Sequence, residues 1–247
     1  PLDPKKDARV NINIYGVAVN QNDGSVWGSA ITYPGAIVRV APGANPPATT
    51  LAEVFEIPLP GYSPRGMDID RNGVFWASLA SGHLGSFDRR KCKGPLTGPQ
   101  AVTGKHCPEG WTLYPMPGPN FKGITEGGSA EGSYYTWVDQ FNIAGLGTNV
   151  PIATGNLNDS IMALVDGSLD HEKLKRVLDY ARALDIEADY LTELVEAASG
   201  HLAWATADMW RKNFDSVLSR STEGIDPGVW IRPYGGDKAD PALVARY

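Results

Sequence analysis

The sequence predicts a chain of two structural classes, with β-hairpin repeats up to Gly167 and α-helices from Ser168 onwards. The first 167 residues hold 23 of the 28 glycines and 16 of the 19 prolines of this 247-residue chain. Glycine and proline punctuate short strands and are rare inside helices, so this distribution marks a change of class. We therefore expect a β domain at 1–167 and an α-helical region at 168–247.

The β region contains a repeat of paired strands. The segment YGVAVNQNDGSVWGSA at 15–30 matches PRGMDIDRNGVFWASL at 64–79, with Trp27 aligned on Trp76. Each segment has alternating apolar residues, an Asp-Gly or Asn-Gly turn, and a second strand ending in Trp and small residues. These dipeptides favour the positive-φ pair of a type I′ turn, so each segment predicts a β-hairpin. A glycine-led third strand follows each hairpin.

A third, degenerate copy is predicted at 133–142, where SYYTWVDQFN aligns Trp137 with the two earlier tryptophans. The three tryptophans are then 49 and 61 residues apart, and an insertion at 91–120 explains the longer spacing. Repeats of about 40 to 50 residues with several strands each are typical of propeller blades. The sequence thus predicts β-propeller-like repeats with about three blade units. The ring is incomplete, because propellers have about four to eight blades.

The repeated motif resembles that of the streptogramin-lyase-like (virginiamycin B lyase-like) propellers. Residues 12–167 are similar to a bacterial branch of that superfamily, and gluconolactonase-type propellers are similar more distantly. The resemblance implies a lyase or lactonase with a histidine and acidic residues around a central channel, and with Ca²⁺ or Mg²⁺ polarising the substrate. The blade motif is more specific for fold than for activity.

Three residues of the β region are candidates for that chemistry. His83, in SGHLGSF, stands where the blade motif usually has a polar residue at the start of the last strand. Asp68 and Asp70 lie two residues apart in a predicted strand, so they share a face and could hold a cation. The alternatives are a solvent-facing histidine at a strand start and two carboxylates at a hydrated turn edge.

The two cysteines predict a disulfide. Cys92 and Cys107 end the Gly- and Pro-rich segment CKGPLTGPQAVTGKHC, which has no predicted regular structure. A bridge closing a loop of about 15 residues contributes about 3 kcal/mol on a loop-entropy estimate. Two cysteines and one histidine are too few for a zinc site. We therefore predict a structural disulfide and a periplasmic or extracellular location, with free thiols as the alternative.

The region after Gly167 has helical periodicity. One amphipathic helix is predicted from an apolar stripe at Leu174, Val177, Leu178 and Ala181. A second helical segment is predicted at 187–220, and Gly200 near its centre leaves one kinked helix or two stacked helices open. The last part reads as loop, with a short helix possible after Asp240.

His201 and Asp208 are the metal-site candidates of the helical region. They are seven residues apart, so on a helix they would share a face, about 10.5 Å apart along the axis. That separation suits two ligands of one larger site. The alternative is a partly buried histidine and a surface aspartate beside Trp204.

Residues 168–247 also resemble, more loosely, the N-terminal region of bacterial Coq4-like proteins. The segments that carry this resemblance are YARALDIEADYLTELVEAASGHLAWATADMW and WIRPYGGDKADPALVARY. It implies an all-helical fold, a link to quinone biosynthesis and a cytoplasmic location. The family's His-Asp-x-x-His metal motif has no counterpart in this chain, so no functional residue carries over.

The net charge and the length of the apolar runs limit the classes of function that the sequence predicts. A net charge of −6 gives no electrostatic reason to bind nucleic acid, and no apolar run is long enough to span a bilayer. We favour a non-catalytic binding or structural module without a cofactor, whose helical part covers an open end of the arc. A protein partner or additional blades would close it. Aromatic residues are expected to pack between blades, namely Trp27, Trp76, Tyr134, Tyr135 and Trp137. The alternatives are the propeller-type enzyme and a quinone-pathway accessory protein.

Overall fold

The computed structural model describes residues 11–117, 128–156, 160–166, 171–184, 190–196 and 202–208. These residues form three antiparallel sheets, two with four strands and one with five, together with one α-helix. Among them, no helix is long and apolar enough to cross a membrane.

Each sheet is one propeller-like blade. Blade one consists of β1 (Ile14–Val19), β2 (Val26–Ala30), β3 (Ala36–Ala41) and β4 (Leu51–Glu56). Blade two consists of β5 (Pro64–Ile69), β6 (Phe75–Leu79), β7 (His83–Phe87) and β8 (Trp111–Pro115). Blade three contains β9 (Thr136–Asp139), β10 (Val150–Gly155), β11 (Ser160–Asp166), β12 (Tyr190–Glu196) and β13 (Leu202–Asp208), in the order β9-β10-β11-β13-β12. Helix α1 (His171–Ala183) lies between β11 and β12 in the chain.

The first hairpin of each blade is closed by an Asx turn, and the predicted type I′ turn is wrong. Side-chain oxygens of Asn20, Asp70 and Asp139 accept hydrogen bonds from backbone N–H groups two residues further on. Gly24 and Gly73 have φ values of +68° and +77°, but the residue before each does not have a positive φ. One left-handed glycine and one Asx side chain therefore make each of the first two turns.

The predicted alignment of Trp137 is also wrong. In blades one and two, the tryptophan of the second strand, Trp27 or Trp76, pairs with the first-strand residue two positions before the Asx residue. In blade three, the residue two positions before Asp139 is Trp137 itself, and its second-strand partner is Ile152. A longer loop separates β9 from β10, so the sequence repeat placed the hairpin too early. Ile152 therefore takes the place of the tryptophan.

The insertion predicted at 91–120 contains a strand. β8 pairs with β7 and completes blade two, so the prediction that Trp111–Pro115 belongs to an insertion is wrong. The segment between Cys92 and Cys107 has no helix or strand, as predicted, and short 3₁₀ turns at Arg89–Lys91 and Pro108–Gly110 flank it. The additional residues are therefore a loop that precedes the fourth strand of a blade.

The all-α prediction for 168–247 is confirmed at 171–183 and wrong at 190–196 and 202–208, which are strands. β13 pairs with β11 over seven residues, and β12 pairs with β13. The buried strand β11 needs a hydrogen-bonding partner along this edge, and such tertiary pairing overrides local helical periodicity. Residues 209–247, including the rest of the predicted second helix, lie outside the described residues. Blade three crosses Gly167, and the division into two domains there stays a prediction.

The blades stack through their sheet faces. We call the face turned toward the following blade the trailing face and the opposite one the leading face. Trp27, Ile37 and Phe55 on the trailing face of blade one pack against the leading face of blade two. Trp76 and Leu84 repeat this arrangement between blades two and three. The first strands lie side by side, β1 against β5 and β5 against β9. The stack is an open arc of three blades.

Helix α1 covers the trailing face of blade three. Val177, Leu178 and Ala181 are buried in one cluster with Ile152 and Ala163 of the sheet. The helix therefore lies where a fourth blade would pack, as expected for a helical part that covers one open end.

Candidate functional site

The carboxylates proposed as cation ligands are used within the blades. Asp70 accepts hydrogen bonds from the backbone N–H groups of Asn72 (2.8 Å) and Val74 (2.9 Å) and from the Trp76 indole (3.2 Å). Asp68 accepts one at 2.9 Å from the Val138 N–H of the next blade. Asp70 thus closes a turn, whereas Asp68 ties two first strands together. Their role as cation ligands stays a prediction.

His83 begins β7 and is buried, not solvent-facing. Its Nδ1 lies 3.0 Å from the Ser81 hydroxyl oxygen. Burial lowers the pKa of His83, so the neutral imidazole is favoured. The hydrogen bonds described above for His83, Asp68 and Asp70 do not join these residues in one cluster. A catalytic role for His83 stays a prediction.

The metal-site candidates after Gly167 do not share a helix face. Asp208 ends strand β13, where it is paired in register with Ser160 and Tyr190. His201 lies outside the described residues. Within the described part of the chain, no group of three or more His, Cys, Asp or Glu residues is placed to hold a metal ion.

The predicted disulfide between Cys92 and Cys107 is present. Cys107 is buried in the core between blades one and two, and Cys92 packs against the same core. The bridge therefore fastens the loop before β8 onto the core between these blades.

A buried charge network beside this loop was not found from the sequence. Glu53 of β4 accepts hydrogen bonds from Arg39 (2.7 Å) and from Arg89 (2.6 and 3.0 Å). Arg39 also reaches Asp23 at 2.7 Å. Two guanidinium groups thus meet two carboxylates, so the charges of the network balance. The network joins β4 to the 3₁₀ turn between β7 and β8. Its members come from four separate segments, and no local pattern brings them together.

Three partly exposed tyrosines lie together, one near the start of β1 and two in the segment before β9. Tyr15 of β1, Tyr134 and Tyr135 are between 38% and 58% exposed. The ring centroids of Tyr15 and Tyr134 are 6.4 Å apart, and an interaction with the Tyr135 hydroxyl raises the pKa of Tyr15. Trp27 and Trp76 pack between blades as expected. Tyr134 contacts Tyr15 of blade one and Arg65 of blade two but stays partly exposed, and packing of Tyr135 between blades stays a prediction.

Arg65 and Gly66 of β5 position this tyrosine surface. The Arg65 guanidinium carbon lies 4.2 Å from the centroid of the Tyr134 ring, and Arg65 donates hydrogen bonds to the carbonyls of Gly132 and Ser133. The Gly66 N–H donates to the Tyr134 carbonyl at 2.7 Å. A Cβ at Gly66 would lie 2.6 Å from that oxygen, so only glycine permits this approach. In the sequence, Gly66 was visible only as a repeat glycine.

The leading face of blade one is almost entirely apolar. Cross-strand registers place twelve residues on it, of which Glu56 is the one charged member, and Lys105 lies 3.4 Å from Glu56. The other eleven are Ile14, Val17, Val19, Val26, Gly28, Ala30, Ala36, Val38, Val40, Ala52 and Val54. An antiparallel sheet that faces water usually presents polar residues on that side. This face therefore has the composition of a packing surface.

Equivalent positions in blade two show what this surface lacks. Val17 and Val19 correspond to Met67 and Ile69, as their pairing with the second strand shows. Val17 and Val19 are 62% and 56% exposed, whereas Met67 and Ile69, which meet the preceding blade, are 8% and 3% exposed. Among the described residues, no sheet precedes blade one in the way that blade one precedes blade two.

No family model and no curated protein matches the chain. Among solved structures, the chain is similar to a catalytically inactive virginiamycin B lyase from Staphylococcus aureus with quinupristin, at 14% identity and a TM-score of 0.33. The match covers 61% of this chain and 51% of that one, so the chain spans about half the length of that structure. The Coq4-like resemblance stays a prediction, and the strands at 190–196 and 202–208 differ from the all-helical fold that it implies.

Proposed function

We propose that the protein is a non-catalytic structural module that assembles through the leading face of blade one. The occupant that we propose for this face is the same face of a second copy of the chain. The observation that carries the proposal is the exposure of Val17 and Val19 at positions whose counterparts in blade two are buried. Two apolar sheet faces pack about 10 Å apart, and a symmetric pair buries both.

The two ends of the arc favour this mode of pairing. Helix α1 covers the trailing face of blade three, so head-to-tail stacking of copies would have to displace Val177 and Leu178 from their core. On the leading face of blade one, Ile14, Val17 and Val19 are exposed, although Ala30, Ala36 and Val38 on the two middle strands are buried. The one charged residue of this face, Glu56, already lies beside Lys105. A second copy can therefore approach without burying an unpaired charge.

A structural role is also favoured by how the candidate catalytic groups are used. Asp70 holds a turn, Asp68 links blades two and three, and His83 is buried beside Ser81. These contacts lie within blade two or, for Asp68, join it to blade three. The proposal requires no metal ion. A Ca²⁺- or Mg²⁺-dependent rise in Tm would instead support the lyase or lactonase alternative.

We propose further that the module works in a periplasmic or extracellular setting. The Cys92–Cys107 bridge supports this, because disulfides persist in oxidising compartments and are rare in the cytosol.

Sedimentation of the purified protein over a wide concentration range tests the proposal. We expect a concentration-dependent dimer that Val17→Asp abolishes, because the dimer would bury the new carboxylates close together. Val102→Asp is the matched control, since Val102 is also 62% exposed but lies in the disulfide loop. A wild-type protein that stays monomeric at every concentration, or a dimer that Val17→Asp leaves intact, would contradict the proposal.

A further inference from the structure

We infer that the tyrosine surface formed by Tyr15, Tyr134 and Tyr135, with Arg65, is a binding site for an acidic peptide segment. The site is separate from the leading face of blade one, so the inference does not depend on self-assembly. Tyrosine and arginine are, with tryptophan, enriched at the energetic centres of protein interfaces. Tyrosine offers a large contact area at a low cost in conformational entropy.

The guanidinium group of Arg65 is held in place, but no carboxylate among the described residues pairs with it. Arg65 is held by the Tyr134 ring and by the carbonyls of Gly132 and Ser133. None of the ion pairs among the described residues includes Arg65, whereas Arg39 and Arg89 each meet a carboxylate. A guanidinium with an unmatched charge at a partly exposed site selects a carboxylate, which it can bind through charge-assisted hydrogen bonds.

The tyrosine hydroxyls suit the same ligand. The side chains of Tyr15 and Tyr135 are hydrogen-bonded to each other, so one phenol donates its proton to the other, and the accepting phenol can donate to an approaching oxygen. Below them, the hydroxyl of Ser78 lies 2.7 Å from those of Ser133 and Thr136, and this buried cluster anchors the segment that carries Tyr134 and Tyr135. The surface is therefore positioned before a ligand arrives, which lowers the entropic cost of binding.

The net charge of the chain argues against ligands that carry many negative charges. A net charge of −6 opposes nucleic acids and other polyanions, whose binding depends on many cations. One unpaired arginine among three tyrosines matches a segment with one or two carboxylates. This is why we infer a peptide with an acidic side chain rather than a polyanion.

The experiment is a selection from a random dodecapeptide display library, followed by affinity measurements on the strongest binder. We expect an Asp or Glu in the selected sequences, and an Asn or Gln analogue that binds about ten- to a hundredfold more weakly. Tyr135→Ala should weaken both peptides. Phe141→Ala, which removes an exposed ring from the turn after β9, is the matched control and should bind normally.

Variants of Arg65 assign the preference to this side chain. With Arg65→Gln, the acidic peptide and its amide analogue should bind equally, and Arg65→Glu should favour a lysine analogue. Selected peptides without acidic residues, or a preference for acid that survives Arg65→Gln, would overturn the inference. If Arg65→Gln fails to fold, the acid-to-amide ratio of the wild-type protein still decides. A polyanion such as heparin that outcompetes the peptide would also overturn it.

Discussion

The two ends of the blade arc solve the same packing problem differently. Blade three ends in a face that presents Ile152 where the other blades present tryptophan, and helix α1 covers that face with Val177 and Ala181. Blade one ends in a face of similar apolar character, on which Val17 and Val19 remain exposed whereas Val38 is buried. The comparison shows that a helix with one apolar stripe can replace a blade, because burial of apolar area does not require a particular secondary structure.

The largest effect on stability should come from a charged side chain on the leading face of blade two, which blade one covers. The same charge at the equivalent position on the leading face of blade one is the comparison. Met67→Lys puts an ammonium group into the core between blades one and two and should lower the free energy of unfolding by about 4 kcal/mol. Val17→Lys should change it by less than about 0.5 kcal/mol at a concentration where the protein is monomeric. Urea denaturation measures both. Equal effects would break the comparison between the two faces.

Removing the disulfide should have the next largest effect. The pair of substitutions Cys92→Ser and Cys107→Ser should lower the free energy of unfolding by about 3 kcal/mol, because the unfolded chain regains the freedom of the loop. The bridge lies at the core between blades one and two, away from either end of the arc. The dimer should therefore persist in sedimentation. Loss of the dimer would show that the leading face depends on this core.

Shortening a buried side chain of helix α1 tests whether the helix stabilises the trailing face of blade three. Val177→Ala removes two methyl groups from the core under α1 and should lower the free energy of unfolding by about 2 kcal/mol. Lys175→Ala changes an exposed residue of the same helix and should cost less than about 0.5 kcal/mol. Similar values for the two variants, measured by urea denaturation, would show that the helix does not cap the blade.

The smallest effect is the contribution of His83 to pH dependence. Burial lowers the pKa of His83 in the folded state, so below its ordinary value of 6.5 the unfolded chain binds more protons than the folded chain. The stability from neutral His83 is therefore complete above that value and is lost as the pH falls through it. His83→Gln should flatten the decline in unfolding free energy between neutral and mildly acidic pH. An unchanged slope in the variant would contradict this burial effect.

The sequence predicted the features that depend on local patterns. The hairpins of blades one and two, the disulfide and helix α1 each come from a short motif with a direct physical cause. The alternation of Val17 and Val19 marked β1 as a strand but could not show whether its outer face was covered. Coverage depends on which sheet lies alongside, and that is a property of the tertiary arrangement.

The errors of the sequence-based prediction share one cause. Pairing between strands that are distant in the sequence decides whether a segment forms a helix or a strand and where in a sheet it lies. The repeat predicts Trp137 in a second strand, but the loop between β9 and β10 is longer than the repeat suggests and leaves Trp137 in the first strand. The segments at β12 and β13 have helical periodicity but join the edge of β11. The tyrosine surface combines residues from β1, β5 and the segment before β9, which are far apart in the sequence. Of the residues that position this surface, only Gly66 stands out in the sequence, as a glycine of the repeat.

The most direct test of the account compares hydroxyl-radical labelling of Val17 and Val102, detected by mass spectrometry, in the purified protein at high and low concentration. Both residues are 62% exposed in the isolated chain. The account predicts that Val17 becomes protected relative to Val102 as the concentration rises, because a second leading face covers it. Equal labelling of the two valines at every concentration would contradict the claim that the leading face of blade one is a packing surface.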